Sequence, residues 1–132
     1  MNFRLNHIGI VVADIDRYLK HSLSGEVFSD VVDPIQDARI VLLDHGSEHP
    51  NTELIQPLSI TATTAGYLKR TSGGYHHLCY EAPSIDEVTD YFKLNRIKCI
   101  YGPVSAPAFN NQDVIFGYTS NREIIEFVII ND

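Results

Sequence analysis

The sequence predicts an α+β fold built from two tandem βαβββ modules. Two observations lead to this prediction. The chain repeats itself at a shift of 70 residues, and each copy passes from strand-like alternation to helical spacing and back to strand-like runs. With 132 residues, 44% of them hydrophobic and 20% charged, the chain has the length and composition of one globular domain.

The internal repeat begins at a histidine in each copy. The segment HIGIVVADIDRYLKHSLSG starts at His7, and it matches HLCYEAPSIDEVTDYFKLN, which starts at His77. Each segment reads as an alternating strand, an acidic turn and an amphipathic helix. Asp14 and Ser84 are predicted to cap the two helices, and Gly25 is predicted to end the first.

Three strand-like runs follow each predicted helix. They are VFSDVV, ARIVLLD and TELIQPL in the first half, and KCIYGPV, QDVIFGY and REIIEFVII in the second. The sequence therefore predicts one module over about residues 1–58 and another over about residues 74–132. Residues 59–73 are predicted to form a linker with one short helix.

The last strand of each module carries one acid within an apolar run. Glu53 lies in TELI and Glu126 in IEFV, and their numbers differ by 73, close to the 70 that separate His7 from His77. A buried carboxylate is costly unless it is paired, protonated or bound to a cation. The four residues therefore predict one shared divalent-metal site. Imidazole and carboxylate ligands suit Zn, Ni, Co, Mn or Fe, and they do not choose among these.

Three other histidines are predicted to lie outside this site. His76 precedes the proposed ligand His77, and successive side chains of a strand point to opposite faces, so His76 is interpreted as a bystander. His45 and His49 stand four residues apart in DHGSEHP. The glycine and proline of that segment indicate a loop between strands rather than a helical pair of zinc ligands.

Charge and composition exclude several function classes. The chain has 10 Lys and Arg against 17 Asp and Glu, a net charge of −7, which argues against general nucleic-acid binding. Its first apolar run is too short for a secretory signal or a membrane span. Cys79 and Cys99 lack CxxC spacing and are interpreted as buried free thiols in a reducing compartment, which predicts a cytoplasmic protein without a membrane partner.

These motifs together resemble the vicinal oxygen chelate superfamily, which includes glyoxalases, bleomycin-resistance proteins and extradiol dioxygenases. The resemblance runs from HIGIVV to IIEFV, and it is greatest to methylmalonyl-CoA epimerases through HIGIVVADID, TELIQPL and YLKRTSGGYHHLCYEAPSIDE. It implies a single domain with the glyoxalase-like fold, in which the two modules form a curled mixed sheet around a metal site with the helices outside. It also implies a homodimer. It also implies the metal ligands His7, Glu53, His77 and Glu126.

Three loops depart from the epimerase pattern. Ile35, in DPIQDARIVLL, stands where epimerases usually carry a glutamate that is a candidate for proton transfer. SAPAFNNQDVIF replaces a Gly-Ala-His-Gly-like loop, and TSNRE replaces a Gly-Gly pair. The metal scaffold therefore matches the family while the loops that would contact a substrate differ.

The resemblance implies proton abstraction next to a carbonyl, most concretely on an acyl thioester of CoA or of a carrier. Glu126 or Glu53 would move the proton, and Asp37 is a further candidate. Two alternatives stay open: a glyoxalase I-like isomerase or lyase with the same ligands, and a non-catalytic protein that binds a small molecule such as an antibiotic. Whether one chain closes its own site or two chains exchange halves also stays open.

Overall fold

The computed structural model describes residues 3–21 and 25–130. Its strands are β1 (Arg4–Val11), β2 (Glu26–Asp33), β3 (Ala38–Asp44), β4 (Asn51–Pro57), β5 (Gly74–Ala82), β6 (Lys98–Ala106), β7 (Gln112–Tyr118) and β8 (Ile124–Ile129). Its helices are α1 (Ile15–His21), α2 (Ala65–Thr71) and α3 (Ile85–Leu94), with a short 3₁₀ turn at Pro107–Phe109. The predicted tandem βαβββ order is confirmed, and α2 is the short helix expected between the two copies.

Hydrogen bonding orders the strands β2-β3-β4-β1 in one half of the chain and β5-β8-β7-β6 in the other, and each order is a mixed arrangement as predicted. The chain divides into two compact units: residues 7–76, and residues 77–130 together with the start of β1. Each is described separately. None of the helices in the described parts of the chain is long and apolar enough to cross a membrane.

In the unit of residues 7–76, β1 runs parallel to β4, and β3 pairs antiparallel with both β4 and β2. Helix α1 packs on one face of these strands, where Ile15, Leu43 and Leu54 are buried in a common cluster. Because side chains alternate along a strand, the neighbour Glu53 points to the face away from α1.

In the unit that contains residues 77–130, β5 runs parallel to β8, and β7 pairs antiparallel with both β8 and β6. Helix α3 packs through Val88 and Phe92 against Phe127 of β8. Cys79 and Val128 belong to a different cluster, on the other face of the strands. The two units therefore repeat one plan, with a helix on one face and polar ligand candidates on the other.

The predicted helix starts are confirmed by hydrogen bonds. The Arg17 N–H donates to Asp14 Oδ1 at 3.1 Å, and the Glu87 N–H donates to Ser84 Oγ at 3.2 Å. Each bond satisfies a backbone donor that the first helical turn leaves without a partner. Helix α1 ends at His21, and the description resumes at Gly25, so the predicted stop at Gly25 adjoins residues outside the described part.

The prediction that both cysteines are buried is wrong for one of them. Cys79 is buried, but Cys99 is exposed. Cys99 lies in β6, which stands at the end of the strand order and pairs, among the described strands, with β7. The apolar run that contains Cys99 does not indicate whether its strand lies at the edge or in the interior of a sheet.

Helix α3 offers a matched test of packing. Val88 is fully buried in the cluster around Phe127, whereas Leu94 on the same helix is 83% exposed. We expect Val88→Ala to lower the free energy of unfolding by about 2 kcal/mol, because buried methyl groups are lost and a cavity remains. Leu94→Ala should change it by less than about 0.5 kcal/mol. Urea denaturation of both variants checks this, and equal losses would contradict the described packing of α3.

A surface ion-pair network joins α1 to β2 and β3. The Arg39 guanidinium donates to Asp30 through Nε at 3.0 Å and Nη2 at 2.8 Å, and to Asp16 through Nη1 at 2.9 Å. The hydrogen bonds from Arg39 hold the pKa of Asp30 below its usual 3.8. The pair therefore stabilises the fold above pH 3.8, and this contribution is lost as the pH falls through the lowered pKa of Asp30.

We expect Arg39→Gln to lower the free energy of unfolding at neutral pH by less than about 1 kcal/mol, because both acids are solvent-exposed. The difference from the unsubstituted protein should disappear in acid, where Asp30 is protonated. Arg4→Gln, which removes an exposed arginine elsewhere, serves as the control. A difference for Arg39→Gln that does not shrink on acidification would contradict the role given to Asp30.

Candidate metal centre

The first half of the candidate site lies in the unit of residues 7–76. His7 in β1 and Glu53 in β4 are 0% and 4% exposed. The parallel pairing of β1 with β4 places Gly9, two residues after His7, opposite Glu53. This register brings His7 Nε2 to 3.5 Å from Glu53 Oε1.

The second half has the same construction. His77 in β5 and Glu126 in β8 are 0% and 2% exposed. The parallel pairing of β5 with β8 places Cys79, two residues after His77, opposite Glu126. His77 Nε2 lies 2.9 Å from Glu126 Oε1. In both halves, therefore, the histidine stands two residues before the position that faces the acid.

Each half offers one buried imidazole and one buried carboxylate, and these are side chains that can bind a metal ion. Two carboxylates and two neutral imidazoles would balance the charge of a divalent ion, which offsets the cost of burying two acids. The donor set therefore fits the predicted group of divalent ions without selecting one of them.

One residue beside the second pair, Phe116, was not singled out by sequence reasoning. The ring of Phe116, in β7, packs edge-on against the His77 imidazole, with centroids 5.4 Å apart. Phe116 is paired with Glu126 in the sheet, whereas the corresponding partner of Glu53 is Leu42. An alignment of QDVIFGY with ARIVLLD could have identified this difference, because each run is the second strand-like run after the helix of its module.

Asp37, the third predicted catalytic candidate, lies in the turn before β3. It adopts φ of +53°, and its carboxylate accepts a hydrogen bond from the Ser59 hydroxyl. Along β3, Leu42 is the residue paired with Glu53, five positions beyond Asp37. Five strand residues span about 16 Å, so the structure does not bring Asp37 to the His7–Glu53 pair.

The bystander histidines have other contacts. The His76 ring packs edge-on against Tyr67, with centroids 4.7 Å apart. His45 lies in the loop between β3 and β4, where its Nε2 is 2.7 Å from Thr52 Oγ1. The interpretation of DHGSEHP as a loop rather than a helix is confirmed.

Comparison with known proteins shows the family to which the chain belongs. The model of the glyoxalase/bleomycin resistance protein/dioxygenase superfamily matches residues 6–116. Mitochondrial methylmalonyl-CoA epimerase of Bos taurus is 30% identical over 122 residues, which cover 89% of this chain and 68% of that protein. The ethylmalonyl-CoA/methylmalonyl-CoA epimerase of Cereibacter sphaeroides is 33% identical over 96 residues, 68% of this chain and 69% of that protein.

A solved structure gives the same result for the fold. The crystal structure of methylmalonyl-CoA epimerase from Mycobacterium tuberculosis matches with a TM-score of 0.83 and 20% identity, over 98% of this chain and 89% of that one. The predicted resemblance is confirmed, and the relatives indicate an enzyme of the epimerase kind. The chain belongs to the glyoxalase/bleomycin resistance protein/dioxygenase superfamily.

Proposed function

We propose that this protein is a metal-dependent epimerase of methylmalonyl-CoA or of a similar 2-substituted acyl-CoA thioester. The observation that carries the proposal is the pair of buried His–Glu contacts at matched registers, in a chain whose relatives are named as such epimerases. A protein that only sequesters an antibiotic has no need of four buried ligands. The relatives' names favour an epimerase over a glyoxalase I-like enzyme.

The metal would be held by His7, Glu53, His77 and Glu126. When bound, a divalent ion supplies Lewis acidity, which makes a proton next to a carbonyl easier to remove. The four residues are at most 4% exposed. Their burial keeps water from competing at the carboxylates, and charge interactions are stronger in such a site than in water.

The proton transfer itself is assigned to carboxylates of the chain. An oxygen of Glu126 or Glu53 takes the proton from the carbon between the thioester carbonyl and the substrate carboxylate. Returning a proton to the opposite face of that carbon inverts its configuration, and no group is oxidised or reduced. Asp37 is a third candidate. For this role its turn would have to adopt a different position when substrate is bound.

The proposal extends to the organisation of the protein. The two modules, about residues 1–58 and 74–132 with the linker 59–73, act as one domain that binds one metal. The active form is a homodimer in the cytoplasm, and the two free cysteines suit a reducing compartment. Sedimentation equilibrium of the metal-loaded protein tests the dimer, and a monomer at micromolar concentration would contradict it.

The proposed reaction can be followed with methylmalonyl-CoA that has a single configuration at its 2-position. Its circular dichroism signal is lost as the protein epimerises it. We expect the signal to decay in the presence of the protein with Co, Ni, Zn, Mn or Fe, and to persist after a chelator is added. Heat-treated protein with the same metal is the control. Persistence of the signal with every one of these metals would contradict the proposed function.

A further inference from the structure

The two histidine–glutamate pairs differ in the residue that lies across the sheet from the glutamate. Phe116 of β7 is paired with Glu126, and the residue paired with Glu53 is Leu42 of β3. The Phe116 ring meets the His77 imidazole edge-on, with centroids 5.4 Å apart and an angle of 75° between the ring planes. Aromatic rings prefer this arrangement, and a leucine side chain has no ring plane with which to form it. The second half therefore makes a contact with its candidate ligand that Leu42 does not offer in the first.

The Phe116 ring is itself held by the next strand. Phe116 is paired with Tyr101 of β6, and the centroids of their rings are 5.9 Å apart. Phe116 is 9% exposed and belongs to the buried cluster on the ligand side of these strands. In the other half, the residue of β2 paired with Leu42 is Ser29. Because Phe116 packs against one ring on each of two strands, its orientation is fixed, and it can fix the orientation of His77.

The distances within the two pairs agree with this difference. His77 Nε2 lies 2.9 Å from Glu126 Oε1, a normal hydrogen-bond length, whereas His7 Nε2 lies 3.5 Å from Glu53 Oε1. The edge-on contact restricts rotation of the His77 ring while its Nε2 meets the carboxylate. A ligand that is already oriented loses less conformational freedom when it binds an ion. The aromatic contact is therefore expected to strengthen metal binding through His77.

We propose that Phe116 is a positioning residue for the second half of the metal centre. Its ring fixes the plane of the His77 imidazole in the orientation in which Nε2 meets Glu126. Phe116 acts through His77, and it neither binds the metal nor moves a proton. The inference rests on the metal site of the proposed function, but the orientation of His77 in metal-free protein can be measured independently of that function.

The test replaces Phe116 with leucine, the residue that the first half carries at the equivalent position. Phe127→Leu is the matched control, because Phe127 is 1% exposed and packs against the ring of Phe92 on the α3 side of the strands. NMR relaxation of metal-free protein gives the order parameter of the His77 ring C–H bonds. We expect it to fall in Phe116→Leu and to stay unchanged in Phe127→Leu. Phe116→Met, which retains most of the side-chain volume without the ring, should show the same fall.

Zinc affinity gives a second readout. We expect the Kd for zinc, measured by competition with a chelating dye, to rise about three- to tenfold in Phe116→Leu, the effect of losing one aromatic pair. In Phe127→Leu it should rise by less than about twofold. An unchanged order parameter of His77 in Phe116→Leu and Phe116→Met would overturn the inference, and so would equal weakening of zinc binding by the two leucine variants. Absence of zinc binding by the unsubstituted protein would instead contradict the proposed function, and the order parameter of His77 would still decide the role of Phe116.

Discussion

His77→Ala protein should retain no stoichiometric divalent metal, while His76→Ala protein should retain it. His77 is fully buried and lies 2.9 Å from Glu126, whereas the neighbouring His76 packs on Tyr67. Removing one of four ligands, and leaving Glu126 without its imidazole partner, should lower metal affinity by about a hundredfold or more. Elemental analysis of untagged protein after dialysis measures the metal directly.

His76 and His77 give a matched comparison, because the two variants lose the same side chain at consecutive positions of β5. The melting temperature of His76→Ala should still rise when metal is added, and that of His77→Ala should not. The reverse pattern, with metal lost in His76→Ala and kept in His77→Ala, would contradict the strand register on which the site depends.

Glu126→Gln should lower kcat by about a hundredfold to ten-thousandfold even when metal is present in excess. An amide has nearly the shape of a carboxylate, but it does not accept a proton from carbon at a useful rate. Glu126 is 2% exposed, so solvent does not easily replace it as the base. The assay measures kcat for epimerisation over a range of metal concentrations, which separates weaker metal binding from loss of the base.

Glu53→Gln is the matched variant, because Glu53 holds the equivalent place in the other half. If Glu126 is the base and Glu53 only a ligand, excess metal should restore kcat in Glu53→Gln to within about tenfold of the unsubstituted value. Restoration of Glu126→Gln by metal, with Glu53→Gln still inactive, would move the base to Glu53. Restoration of both would rule out both carboxylates as the base.

Much of the fold could be predicted because the residues that recur in the two copies are residues that the core requires. Ile15 and Ile85 start equivalent helices, and both pack onto the strands beneath them. Alternation within each strand then assigns a helix side and a ligand side. The exposure of Cys99 could not be predicted, because an edge strand and an interior strand differ in their neighbours and not in their own pattern.

The candidate site could be predicted for a related reason. Histidine and glutamate recur at matched positions, and two buried acids in apolar strands require compensation. The position of Asp37 relative to the candidate site could not be predicted, because Asp37 lies in a turn whose register the sequence does not determine. The contact of Phe116 with His77 depends on pairing between strands β7 and β8, which composition and spacing along one strand do not encode.

The most direct test of one metal centre shared by both halves is a metal titration read out by deuterium uptake. Metal-free protein is mixed with methylmalonyl-CoA in D₂O, a divalent ion is added stepwise, and NMR follows exchange of the proton at the 2-position. We predict that the exchange rate rises with added metal and stops rising at one ion per chain. Absence of exchange with any of Zn, Ni, Co, Mn or Fe, or exchange that a chelator does not stop, would contradict the proposed metal-dependent epimerase.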